Sequence, residues 1–116
     1  MSKEQRAPAV SPKDYLLKRL SDPTTAAAYI NAAAREDDPG ALLQALRNVA
    51  EAHGGIAKIA ARAGLNRQQL YRTLSSEGNP ELRSLTKILD ATGLQLEITP
   101  KPVRKTKGRA AVALAA

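Results

Sequence analysis

The sequence predicts an all-α fold: a compact helix-turn-helix bundle of about five helices, a short C-terminal strand that pairs across a dimer, and disordered termini. Three observations predict it. Apolar residues recur at helical spacing in successive stretches, as in Leu42, Leu43, Leu46, Val49 and Ala50. The apolar fraction is dominated by alanine and leucine, with three tyrosines and no phenylalanine or tryptophan, which suits thin helices packed closely. The stretch from Gly55 to Leu74 reads as two short helices around a glycine.

Residues 1–13 are polar and hold two prolines, predicting a disordered arm. The domain is expected over 14–99, divided into a helical extension at 14–36, a core at 39–92 and a strand at 94–98. Tyr15, Leu16, Leu17 and Leu20 give a short apolar helix that docks on the body or on a partner. Asp22-Pro23 and Asp38-Pro39 are start signals: the aspartate caps, and proline fits the first helical position because the amide it lacks would have no partner there. The first of these helices runs to about Glu36 on an alanine-rich face, and the second, the scaffold helix, runs to Gly54-Gly55.

In the next stretch, Ile59, Ala60 and Ala63 fall at helical spacing, and Ala60 leaves room where two backbones cross. Gly64 stands where a helix closes in a left-handed residue, and Asn66 can cap the free amides of a second helix carrying Leu70 and Leu74. Arg67, Gln68 and Gln69 then occupy an exposed first turn. Leu82, Leu85, Ile88 and Leu89 mark a last helix ending at Gly93. Leu94, Leu96 and Ile98 alternate with Gln95 and Glu97, a strand signal that needs a partner. No other strand is expected, so the same strand of a second copy is the predicted partner.

Charge is unevenly distributed over the chain, whose net charge is +7. Up to Gly55, seven basic residues balance seven acidic ones. Lys58, Arg62, Arg67, Arg72, Arg83 and Lys87 outnumber the acids of the following stretch, and the 100–116 tail is basic without an acid. That excess suits a phosphate backbone. A helix laid in the major groove would let Arg67 bond guanine and Gln68 or Gln69 bond adenine, with Tyr71 and Arg72 one turn on. Lys58 and Arg62, on the preceding helix, read as phosphate contacts. The predicted DNA-binding set is therefore Lys58, Arg62, Asn66, Arg67, Gln68, Gln69, Tyr71 and Arg72.

Catalysis finds no support. Cysteine is absent, His53 is the lone histidine and reads as a residue near a helix C-terminus, and Asp37-Asp38 read as capping rather than metal binding. No phosphate-binding glycine loop is present. The expectation is a protein without catalytic residues, cofactor or metal. The opening residues lack the apolar run of a secretion signal and AAVALAA is far shorter than a membrane span, so a cytoplasmic protein is expected.

The order Ala60, Gly64, Leu70, continuing through Asn79-Pro80 and LRSLTKILDATGL, resembles the helix-turn-helix of the Xre and Cro/C1 repressor superfamily. With Tyr29, Asn31-Ala32-Ala33, Ala45-Leu46-Arg47, Leu70-Tyr71 and Gly78-Asn79-Pro80 the chain is more specifically similar to HigA-like addiction-module antidote proteins over roughly Tyr15 to Thr99. The resemblance implies a dimeric repressor of a palindromic DNA operator that also neutralises a small RelE/HigB-like toxin and autoregulates its operon. The alternative is a stand-alone Xre-type or phage-like regulator without a toxin. Two positions depart from the superfamily. Ile56 replaces a common glutamine, so no DNA contact is carried over to it, and Thr73 stands at a usually apolar position with Leu74 beside it.

Overall fold

The computed structural model describes residues 11–102. Among these there are six α-helices and no strand: α1 (Pro12–Leu20), α2 (Pro23–Ala34), α3 (Pro39–Ala52), α4 (Ile56–Ala63), α5 (Arg67–Thr73) and α6 (Leu82–Ala91). Three of them begin in the same way. The side chains of Ser11, Asp22 and Asp38 accept hydrogen bonds from the backbone amides of Asp14, Thr25 and Gly40 at 3.0, 2.9 and 2.9 Å, and proline follows each cap.

The first of these starts differs from the sequence reading. Helix α1 begins at Pro12, inside the stretch assigned to a disordered arm, because Ser11-Pro12 is the same cap-and-proline signal as the two aspartate starts. The remainder of the expected arm, 1–10, and of the tail, 103–116, lies outside the described residues.

Helix α3 is the shared wall of two apolar clusters. On one side Leu43, Leu46 and Ala50 meet Ile59 and Ala60 of α4, Leu70 and Leu74 at α5, and Ile88 and Leu89 of α6. On the other, Val49 meets Leu20 of α1 and Ala26 of α2, with Leu16, Tyr29 and Ala52 packed around them. Ile30 and Leu94 reach both clusters. The buried side chains are aliphatic, with alanine among them and no aromatic ring, so the clusters are thin and each buried leucine carries a large share of the burial. Truncating one to alanine in such a site typically costs about 2–5 kcal/mol.

The expected strand at 94–98 is not formed. The Leu94 amide closes α6 by donating to the Leu89 carbonyl at 2.8 Å, and residues 95–99 make no backbone hydrogen bond among the described residues. A single chain offers that segment no neighbouring strand. Its apolar residues are left outside, with Leu96 half-exposed and Ile98 86% exposed. Beside it runs a groove of about 770 Å³ whose lining includes Ile30 of α2, Leu89 of α6 and Leu94.

The Asp22 cap ties the start of α2 to pH. The Thr25 backbone amide, and then the Thr25 hydroxyl, hydrogen-bond the carboxylate and hold its pKa below the ordinary value of 3.8. A lowered folded-state value means the cap stabilises above the unfolded pKa and ceases to do so as pH falls through the folded one. Asp22→Ala is expected to lower the thermal midpoint at neutral pH, with the gap to wild type closing as pH drops below 3.8, followed by circular dichroism melts across pH.

Candidate nucleic-acid interface

The two-helix unit α4–α5 is built around one corner. Helix α4 ends at Gly64, which adopts φ 70° and ψ 33°, a left-handed conformation that carries a steric cost for any residue with a side chain. This turns the chain so that the Leu65 amide reaches back to the Ala60 carbonyl at 2.9 Å. Ala60 is itself buried, and Leu65 packs on the main cluster. Asn66 then opens α5, its Oδ1 accepting from the Gln69 amide at 2.9 Å.

Leu70 and Leu74, 2% and 0% exposed, fix how α5 is rolled. Successive residues are offset by about 100° around the axis. Gln68 and Arg72, four apart, therefore lie on the side opposite the leucines, with Gln69 next to them and Tyr71, 52% exposed, on one flank. Arg67 is three residues before Leu70 and so lies on the helix edge nearer the core, exposed because it occupies the first turn. At the other end Leu74 fills the apolar role that Thr73, half-buried, does not. The roll of α5 is therefore set by Leu70 and Leu74.

All eight sequence-predicted residues are exposed, and α4 and α5 bring them into one contiguous unit. They differ in what else they do. Asn66 is committed to capping. Lys58 and Arg62 share a face of α4 four residues apart, and both lean toward the α3–α4 junction. The Lys58 stem lies over Gly54, where a Cβ would overlap its Cδ. The Arg62 Nη1 donates to the His53 carbonyl at 3.5 Å. His53 is the closing residue of α3, its Nε2 buried without a hydrogen-bond partner among the described residues.

Several residues that support α5 have no structural role in the sequence reading, although Tyr29, Arg47 and Gly78 are among those that carry the family resemblance. The Arg47 Nη1 donates to the Leu74 carbonyl at the end of α5, and its Nη2 donates to Gln44 Oε1. Gln44 Nε2 donates to Asn48 Oδ1 at 3.1 Å, and Asn48 Nδ2 to the Tyr29 hydroxyl at 2.8 Å. The loop after α5 presses on the same turn, since a Cβ at Gly78 would overlap the Thr73 carbonyl oxygen. A signal for two of them was present. Arg47 is four residues after Leu43 and three before Ala50, and Asn48 is three after Ala45 and four before Ala52, so each is a polar residue set in an apolar stripe.

Among the described residues no group of His, Asp or Glu side chains comes together as a metal site, and no helix is long and apolar enough to cross a membrane. Asp38 acts as the helix cap expected of it.

The molecule is thus a small helical protein that presents a polar and basic helix from a rigid corner. By sequence it belongs to the family described as probable addiction module antidote proteins, whose family model matches residues 13–100. An antidote of an addiction module implies a toxin to counteract. The chain is also 36% identical, over 70 residues, to an uncharacterized protein of Haemophilus influenzae strain Rd, the match covering 60% of this chain and 71% of the other. No solved structure matches the chain.

Proposed function

We propose that this protein is a cytoplasmic antitoxin that neutralises a small RelE/HigB-like ribonuclease toxin and, as a dimer, represses its own operon through α4–α5 acting as an Xre-type helix-turn-helix. The observation that carries the DNA-binding half is the roll of α5. With Leu70 and Leu74 inward, Gln68 and Arg72 form the outward edge of a helix whose every other exposed position is polar or aromatic. Gln68 and Gln69 have the amide geometry to bond adenine, and Arg72 and Arg67 the fork to bond guanine or phosphate. Lys58 and Arg62 serve the backbone from α4. The family membership supports the antitoxin half.

Reading a palindrome requires two copies with their α5 helices about 34 Å apart. The 94–98 segment supplies the contact. An antiparallel pairing centred on Leu96 sets Leu94 against Ile98 and Gln95 against Glu97, so apolar meets apolar and a carboxylate meets an amide. The toxin is assigned to the opposite layer, where exposed Tyr15 lines an apolar groove between α1 and α2 together with Leu16, Ala28 and Tyr29.

Each part has its own test. On a duplex from the region upstream of its own gene, Gln68→Ala is expected to cost about 1–3 kcal/mol while leaving affinity for random duplex unchanged. Lys58→Ala should weaken both duplexes and lower the salt slope by roughly 0.9 per contact. Equal losses on both duplexes for Gln68→Ala would remove base reading from α5.

The double variant Leu96→Asp, Ile98→Asp should sediment as a monomer where the wild type sediments as a dimer. A persisting dimer would place the contact elsewhere. For the toxin, growth inhibition by a small basic protein encoded beside the gene should be relieved by the wild-type chain and not by Tyr15→Asp. Relief by both would move the toxin off the α1–α2 face, and a neighbourhood with no such gene would leave a stand-alone regulator.

A further inference from the structure

Arg47 is the only basic residue of α3, and it stands half-buried in the helix's apolar stripe. A hydrophobic side chain of similar length would pack there without the desolvation cost of a guanidinium. What the guanidinium supplies instead is direction. It donates to the Leu74 carbonyl, one of those a helix C-terminus leaves without an intrahelical partner, and it places positive charge at the negative end of α5.

The guanidinium is held in turn. Its second nitrogen donates to Gln44 Oε1, Gln44 Nε2 donates to Asn48 Oδ1, and Asn48 Nδ2 donates to the hydroxyl of Tyr29 on α2. Every group appears once, in one role. Turning the Gln44 amide over would break two links, because its nitrogen would face Arg47 and its oxygen would face the acceptor on Asn48. Asn48 is buried, so losing its partners would carry the cost of an unsatisfied polar group. The relay therefore has one arrangement, and it joins α2, α3 and the end of α5.

That matters because α5 is short and rests mainly on α4. With side-chain tips roughly 6 Å from the helix axis, a roll of about 10° carries them about 1 Å, enough to spoil a bidentate bond to a base edge. Contacts to phosphate tolerate such a shift better, since a flexible cationic side chain follows an oxygen more freely than a planar amide follows two base atoms. The Gly78 loop bears on the same last turn, where a side chain would collide with the Thr73 carbonyl, so this end of the helix is clamped from two sides.

We propose that Arg47 is a positioning residue for α5, that the Tyr29–Asn48–Gln44 relay fixes it, and that together they set sequence discrimination rather than general affinity for nucleic acid. The proposal rests on the base-reading role of α5, and its first test needs no DNA. Amide hydrogen exchange of the free, full-length protein is followed by NMR in Arg47→Lys and Tyr29→Phe. The Leu74, Ser75 and Gly78 amides, all hydrogen-bonded in the structure, are the probes, and Ile88 and Leu89 in α6 are the reference.

In Arg47→Lys the probes are expected to exchange roughly tenfold faster with the reference unchanged, and in Tyr29→Phe to shift the same way by less. Unchanged probes, or probes and reference accelerating together, would overturn the positioning role. If Arg47→Lys does not fold, Tyr29→Phe decides alone on the same criterion. The second readout is the ratio of affinities for the upstream duplex and a random duplex, expected to fall roughly tenfold in Arg47→Lys with random binding held within about twofold. A preserved ratio alongside faster exchange would overturn the link to discrimination. Absence of any preference in the wild type would instead defeat base reading by α5, and the exchange result would still decide whether Arg47 positions the helix.

Discussion

The hydrogen bond from the Leu65 amide back to the Ala60 carbonyl is the contact on which the candidate interface depends. It can form only because Gly64 takes a left-handed conformation, and it fixes where α5 starts. From there the chain has little freedom. Asn66 caps the first turn, and Leu70 and Leu74 must enter the cluster that Ile59, Ile88 and Leu46 already define. The outward face of α5 then follows from helical geometry alone, as the side the two leucines do not use. A residue at 64 that resisted positive φ would misdirect α5 before any residue of its outward face was altered.

The same economy shapes the core. Without large aromatic rings to fill space, the core relies on small side chains: Ala26, Ala45, Ala50 and Ala60 are all buried. Thin clusters tolerate small errors in helix placement, because alanine faces have few features to interlock. The polar links between α2, α3 and α5 answer that weakness. A hydrogen bond specifies distance and direction where an alanine contact specifies only proximity, at the cost of desolvating the groups involved.

What the sequence made legible was local. Asp-Pro starts, the glycine closing α4, the asparagine cap and the leucine spacing all act within one or two turns, and they placed four of the helix boundaries and the exposed face of α5. Ser11-Pro12 carried the same information but was read with the polar residues before it. The segment at 94–98 forms no strand in the single chain for the reason its sequence pattern already implied: alternation states what a strand would look like, whereas forming one needs a neighbour outside this chain. Arg47 and Asn48 were the least legible. Their partners, Leu74 and Tyr29, are 27 and 19 residues away, and no periodicity encodes a bond of that span.

The unequal distribution of charge along the sequence becomes a spatial one through α3. Helices α1 and α2 pack with Val49, while α4, α5 and α6 pack with Leu43, Leu46 and Ala50, so apart from Ile30 of α2, which reaches both clusters, the charge-balanced and the basic stretches meet α3 through different residues. Under the proposed function this has a direct consequence. A protein partner with a basic surface would be poorly received by Lys58, Arg62, Arg67 and Arg72, whereas the layer of α1 and α2 sets Asp14, Asp22 and Glu36 among Lys13, Lys18, Arg19 and Arg35 and carries no comparable excess of positive charge. A basic partner is thus turned away from α4 and α5 by like charge and meets the balanced layer without that penalty. Under the proposed function α3 is then the common wall between the face assigned to the toxin and the face assigned to DNA.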